Sequence, residues 1–80
     1  MPPALHVDLF VDAKCQMCPM PVLTLAKAMK TLAPGQVLAI SATDQGAKND
    51  IPAWAEKTGN VLLHTVEEGN VLTFYLSKAV

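Results

Sequence analysis

Two cysteines three residues apart are the side chains in this sequence best suited to covalent chemistry. Cys15 and Cys18 lie in the segment Cys15-Gln16-Met17-Cys18-Pro19-Met20-Pro21, directly before a run with helical periodicity. Pro19 suits the first position of a helix and biases Cys18 toward the extended backbone of an N-cap residue. The helix dipole and free N–H groups at such a position favour thiolate over thiol. We therefore expect Cys18 to lie at the helix cap, where its thiolate form is favoured.

Chemistry alone leaves the task of this thiolate open. It could attack a sulfur donor, exchange with a disulfide or bind a metal, and a small buried cysteine at a helix start is the unreactive alternative. Pro19 and Pro21 have no N–H, so the backbone N–H groups that could donate to the Cys18 sulfur are those of Met20 and Val22.

The hydrophobic pattern predicts the elements that present this segment. Alternation from Leu5 to Asp12 predicts the first strand, and the apolar run within Gln36 to Ala42 predicts a second, central strand. Between them a helix begins at Cys18 and is stopped by Pro34-Gly35. Its predicted buried stripe consists of Val22, Leu25, Ala26, Met29 and Ala33.

The second half of the chain predicts another helix and a hairpin. Asp50 is the expected N-cap of the helix, with Pro52 in its first turn, and Gly59 ends it. The runs Asn60 to Glu68 and Val71 to Lys78 are joined by Gly69-Asn70, which is typical of a tight turn. A two-residue loop pairs Leu63 with Leu76 and Thr65 with Phe74 on the core side, and His64 with Tyr75 on the other side.

The order βαβαββ predicts an α/β fold, a two-layer sandwich in which two helices cover one face of a four-stranded mixed sheet. Eighty residues make one domain, 1–80, and 51% hydrophobic content excludes disorder. A net charge of −1 without arginine argues against stable nucleic-acid binding. With neither an apolar run long enough to span a bilayer nor a secretion signal, we expect a cytoplasmic monomer.

Beyond these patterns, the sequence resembles the TusA/SirA-like sulfur carriers, whose hallmark is Cys-Pro-x-Pro at the start of the first helix. Cys18-Pro19-Met20-Pro21 matches the hallmark. The likeness continues in Asp12, Pro34-Gly35, Thr43-Asp44 and Asp50-Ile51-Pro52-Ala53-Trp54. It implies the same βαβαββ fold and one TusA-like domain.

The resemblance implies that Cys18 carries sulfane sulfur as a persulfide, with no cofactor and no metal. The donor would be a cysteine desulfurase or a rhodanese-like protein, and the acceptor a DsrE-like or similar protein in tRNA thiolation, cofactor sulfuration or sulfur-compound oxidation. The residues expected to contribute to the binding surface around Cys18 are Asp12, Lys14, Met17, Pro19, Met20 and Pro21.

Cys15 departs from the family pattern, which commonly has Gly-Leu where this chain has Cys15-Gln16. Cys15 could resolve the persulfide to a disulfide, or it could be a neutral replacement. A dithiol redox protein using Cys15 and Cys18 is therefore the alternative function, and a regulatory interaction module is a further one. A zinc site that adds His6 and His64 to the two cysteines is disfavoured, because the histidines lie on separate strands.

Overall fold

Six elements follow one another along the chain, and a computed structural model describes them for residues 6–17 and 20–79. They are β1 (Leu9–Ala13), α1 (Met20–Met29), β2 (Val37–Ala42), α2 (Ala47–Thr58), β3 (Val61–Glu68) and β4 (Val71–Ser77). The strands form one sheet in the order β1-β2-β4-β3, in which β1 and β2 are parallel and the other pairs antiparallel. The predicted α/β architecture with a mixed sheet is confirmed, and β2 is central as predicted.

The hydrophobic core lies between this sheet and the two helices. Alternate residues of β2 and β4 point into it, among them Leu38, Ile40 and Phe74, because side chains of a strand alternate between the two faces of a sheet. The helices complete the core with five buried side chains: Leu25 and Met29 from α1, and Ala47, Ile51 and Ala55 from α2. Both helices therefore cover the same face of the sheet, which makes the molecule a two-layer sandwich.

Strand β1 begins at Leu9, later than the predicted start at Leu5, which lies outside the described residues. Asp8 forms a bend, and its Oδ2 accepts a hydrogen bond of 2.8 Å from the backbone N–H of Val37. The Asp8 side chain thus replaces the next backbone hydrogen bond between the two parallel strands. Leu9 and Val11 pack toward the core as the alternation predicts.

Helix α1 ends at Met29, four residues before the predicted Ala33. The backbone N–H groups of Thr31 and Leu32 donate to carbonyls three residues back, so the chain leaves the α-helix through tight turns. Ala33 is exposed, so the prediction that it belongs to the buried stripe was wrong. Leu32 packs against the core in its place.

Helix α2 begins at Ala47, so the prediction of Asp50 as its N-cap was wrong. The Oδ1 of Asp44 accepts from the N–H of Gly46, and the carbonyl of Asp44 accepts from Ala47. The early start places the fully buried Ala47 on the same face as Ile51, one turn later. Gly59 ends α2 in the left-handed conformation, as predicted.

The β3–β4 hairpin turns at Gly69-Asn70 as predicted, and His64 pairs with Tyr75 and Thr65 with Phe74. The predicted pairing of Leu63 with Leu76 is wrong. Leu62 pairs with Leu76, because a bulge between Leu62 and His64 inserts one extra residue into β3. Leu63 consequently leaves the core and is 42% exposed.

Candidate functional site: the thiol loop

The connection between β1 and α1, residues 14–19, carries both cysteines and is called the thiol loop here. The structure describes residues 14–17 of it, whereas Cys18 and Pro19 lie outside the described residues. The N–H of Gln16 donates to the carbonyl of Ala13, which closes a turn, and the Oε1 of Gln16 accepts from the hydroxyl of Thr24 on α1. Gln16 therefore joins the loop to both flanking elements.

Cys15 lies at the centre of this turn with a φ of 67°, the left-handed region that non-glycine residues rarely adopt. Its backbone N–H donates to the Oγ1 of Thr43 over 2.9 Å, across 28 residues of sequence. Its thiol is free and exposed. A glycine would adopt this conformation at no steric cost, whereas cysteine does not.

The start of α1 is tied to the loop through Met17, whose carbonyl accepts from the N–H of Met20 over 2.8 Å. This bond changes the donors predicted for the Cys18 sulfur. The N–H of Met20 already has the Met17 carbonyl as its partner, and Pro21 has no N–H. Val22 is the next residue along α1 that carries an N–H.

Exposed apolar side chains flank the undescribed pair of residues. Met17 is 78% exposed and Met20 47%, so both side chains are accessible to a partner. Leu23 is 52% exposed one turn after Met20 on α1, and sequence reasoning missed it. Its spacing of three from Met20 was the signal that could have identified it. Pro21 is fully buried, so its expected contribution to the binding surface is not supported, and its side chain belongs to the packing of the helix start.

Asp12 and Lys14, the other two predicted binding residues, lie where β1 ends. The Oδ1 of Asp12 accepts from the backbone N–H of Lys14 over 2.9 Å, so this carboxylate shapes the beginning of the thiol loop. Both residues line an open depression of about 300 Å³ together with Phe10, Val11 and Ser41. They thus border the loop on the side of the sheet that the helices leave uncovered.

Charge is unevenly distributed around the loop. Residues 13–43 contain three lysines, Lys14, Lys27 and Lys30, and no acidic residue. All three side chains are exposed. All seven Asp and Glu residues lie outside this range, but Asp12 directly precedes it and Asp50 lines a depression together with Val22 of α1.

The two histidines lie near opposite edges of the sheet, His6 just before β1 and His64 on β3. His6 is hydrogen-bonded through Nε2 to Asp8 at 2.9 Å, and His64 is exposed on β3 opposite Tyr75. Within residues 6–17 and 20–79, no three His, Cys, Asp or Glu side chains are grouped closely enough to hold a metal ion. In the same part of the chain, no helix is long and apolar enough to cross a membrane.

Comparison with known proteins decides the family. Residues 9–78 match the family described as "Sulfurtransferase TusA". The chain belongs to the TusA family. YrkI of Bacillus subtilis (strain 168) is 46% identical to it over 71 residues, which make up 89% of this chain and 95% of YrkI. The sulfur carrier protein TusA of Allochromatium vinosum is 39% identical over 72 residues, 90% of this chain and 95% of that protein.

A solved structure confirms the fold of this TusA-family chain. The SirA-like protein from Desulfitobacterium hafniense superposes with a TM-score of 0.78 at 22% sequence identity, covering 90% of this chain and 99% of its own. The resemblance inferred from the sequence is thereby confirmed at the level of family and fold.

Proposed function

We propose that this TusA-family chain accepts sulfane sulfur as a persulfide on Cys18 and passes it to a thiol of a partner protein. The observation that carries the proposal is the position of this cysteine. It follows the exposed Met17 directly and precedes the first residue of α1, Met20, by two residues, within the range that matches the TusA family. In sequence, the exposed Met17 precedes this position and the N-terminal end of α1 follows it.

Loading is a sulfur transfer between two thiols. The Cys18 thiolate attacks the outer sulfur of a donor persulfide, R–S–SH; the new bond forms between the two sulfurs as the donor S–S bond breaks. The products are Cys18–S–SH and the donor thiolate R–S⁻, so neither oxidant nor reductant is consumed. A cysteine desulfurase or a rhodanese-like protein would supply such a persulfide.

Unloading is the same reaction in the other direction. A partner thiolate attacks the outer sulfur of Cys18–S–SH, and Cys18 leaves as a thiolate. Stabilising this thiolate makes it a better leaving group, and the N-terminal end of α1 is suited to that because its dipole favours negative charge. The same stabilisation keeps the thiol ionised for the next loading step.

Partner docking is supported by the surface next to Cys18. Met17, Met20 and Leu23 offer adaptable apolar contact area, and Lys27 continues the exposed side of α1 one turn beyond Leu23. Donor and acceptor proteins with an apolar patch bordered by acidic side chains would complement this surface. A DsrE-like acceptor would use the same surface in turn, because the two transfers share one sulfur atom.

The test is loading followed by measurement of the intact mass. The protein is incubated with thiosulfate and a rhodanese-like sulfurtransferase, and separately with cysteine and a cysteine desulfurase. We expect one additional sulfur atom per chain, retained in Cys15→Ser and lost in Cys18→Ser. If both variants still take up sulfur, the assignment to Cys18 is contradicted.

The dithiol alternative rests on the exposed thiol of Cys15, three residues before Cys18. In that case Cys15 would attack the inner sulfur of Cys18–S–SH, forming a disulfide and releasing sulfide, and a dithiol reductant would be needed to restore the two thiols. Equal loss of sustained transfer in Cys15→Ser and Cys18→Ser would favour this function over the single-thiol carrier.

A further inference from the structure

The residue most directly linked to the thiol loop lies far from it in sequence. Thr43 follows β2 immediately, and its Oγ1 accepts the backbone N–H of Cys15 over 2.9 Å. We propose that Thr43 is a positioning residue for sulfur transfer, which holds the thiol loop in the conformation that presents Cys18. This inference rests on the proposed function of Cys18 and deepens it.

The geometry explains why the loop needs such a contact. Ala13 and Ala42 are the last paired residues of the parallel strands β1 and β2, and both are buried. Beyond this pair the backbones diverge, and the Thr43 side chain supplies one more connection between them. The point of attachment is Cys15, the one described non-glycine residue of the chain with a positive φ.

A left-handed conformation at cysteine is unfavourable relative to the extended and right-handed regions. The hydrogen bond from the Cys15 N–H to Thr43 opposes relaxation of the turn toward those regions. Relaxation would change the direction in which the chain leaves Gln16 and Met17, and Cys18 is the next residue. Thr43 therefore acts on the sulfur-carrying residue through the backbone of the thiol loop.

The residue that follows Thr43 takes part in the start of α2. This residue, Asp44, accepts hydrogen bonds from Gly46 through Oδ1 and from Ala47 through its carbonyl, which fixes the start of α2. The thiol loop and the N-terminal turn of α2 are thus joined through two consecutive residues. The loop is therefore attached to the end of β2 as well as closed by its own turn.

The experiment uses the full chain in the Cys15→Ser background, where Cys18 is the only thiol and the backbone N–H at position 15 remains. Thr43→Val keeps the β-branched shape and removes the acceptor, whereas Thr43→Ser keeps the hydroxyl. We expect Thr43→Val to slow loading of Cys18 by about 2- to 10-fold, the range that corresponds to one hydrogen bond. Thr43→Ser should load at close to the background rate.

A second readout separates positioning from general stability. The rate of Cys18 alkylation by iodoacetamide is measured against pH under conditions in which every variant is folded by circular dichroism. We expect a displaced pH profile for Thr43→Val and an unchanged one for Thr43→Ser. Identical profiles and loading rates for these two variants would overturn the inference.

A third comparison uses glycine at position 15. In the Cys15→Gly background the turn no longer depends on external support, because glycine adopts a positive φ without steric cost. Thr43→Val should then slow loading less than it does in the Cys15→Ser background, and an equal or larger effect would count against the inference. Should the parent background fail to load sulfur at all, the proposed function fails, while the alkylation profiles still decide the role of Thr43.

Discussion

Asp8 and Val37 are joined twice, at the point where β1 and β2 begin to pair. The N–H of Asp8 donates to the carbonyl of Val37, and the N–H of Val37 donates to the Oδ2 of Asp8, both over 2.8 Å. A carboxylate thus receives a backbone donor that would otherwise continue the parallel ladder. The contact anchors one end of β1, and the thiol loop leaves from the other end.

This contact predicts a loss of stability in acid. The hydrogen bond from Val37, followed by the hydrogen bond and charge of His6, holds the pKa of Asp8 below its ordinary value of 3.8. A carboxyl whose pKa is lowered on folding stabilises the folded state above the unfolded pKa, and the contribution is lost as the pH falls through the folded pKa. We expect Asp8→Asn to destabilise the protein near neutral pH, measured by urea unfolding. The difference from the parent should shrink below pH 3.8.

His6→Gln is the matched control for this prediction. It removes the smaller contributions from His6 and leaves the Val37 bond in place, so most of the pH dependence should remain. A constant difference between parent and Asp8→Asn at every pH would show that Asp8 titrates alike in the folded and unfolded chains.

Replacing Cys15 with small residues should give variants with an unusual order of stability. Because its φ is 67°, Cys15→Gly should be more stable than Cys15→Ala by about 1 kcal/mol, although glycine is normally the less favourable residue. Urea unfolding of the two variants at one pH measures the difference directly. An alanine variant as stable as the glycine variant would mean that the turn does not hold position 15 in the left-handed region.

Substitution of Leu23 should slow sulfur transfer while leaving the stability of the fold almost unchanged. Its side chain is 52% exposed beside Met20, so Leu23→Ser should change the free energy of unfolding by no more than about 0.5 kcal/mol. Transfer of sulfur from a rhodanese-like donor should nevertheless slow several-fold, because about 1 kcal/mol of apolar contact with the donor is lost.

Leu63→Ser is the matched control for Leu23→Ser. It makes the same chemical change on a side chain that is 42% exposed, in the bulge of β3 and away from the thiol loop. Equal slowing by both substitutions would contradict docking through the surface formed by Met17, Met20 and Leu23.

The hydrophobic pattern was sufficient to predict the order of elements and the two layers, because burial on one face fixes the period of each segment. Boundaries set by single side chains were not predictable. The contact of Asp8 with Val37 joins residues 29 positions apart, which only the folded chain brings close. The contact of Asp44 with Gly46 is local, and the sequence prediction did not include it. Pro52 suggested a later helix start, yet it lies inside α2.

At the candidate site, residue types indicated the chemistry, but not the way in which the loop is held. The Cys-Pro-x-Pro pattern pointed to Cys18, and the predicted binding residues Met17 and Met20 are exposed. Neither the positive φ of Cys15 nor its bond to Thr43 has a local sequence signal. The bond joins residues 28 positions apart, at the ends of two strands that pair only in the folded sheet.

The most direct measurement of the central claim locates the sulfur within one peptide. Trypsin cleaves after Lys14 and Lys27, so both cysteines lie in the peptide Cys15–Lys27. After loading and alkylation, fragment ions that separate Cys15 from Cys18 show which thiol carries the additional sulfur. We predict that it is found on Cys18; additional sulfur on Cys15 alone, or on neither residue, would contradict persulfide transport by Cys18.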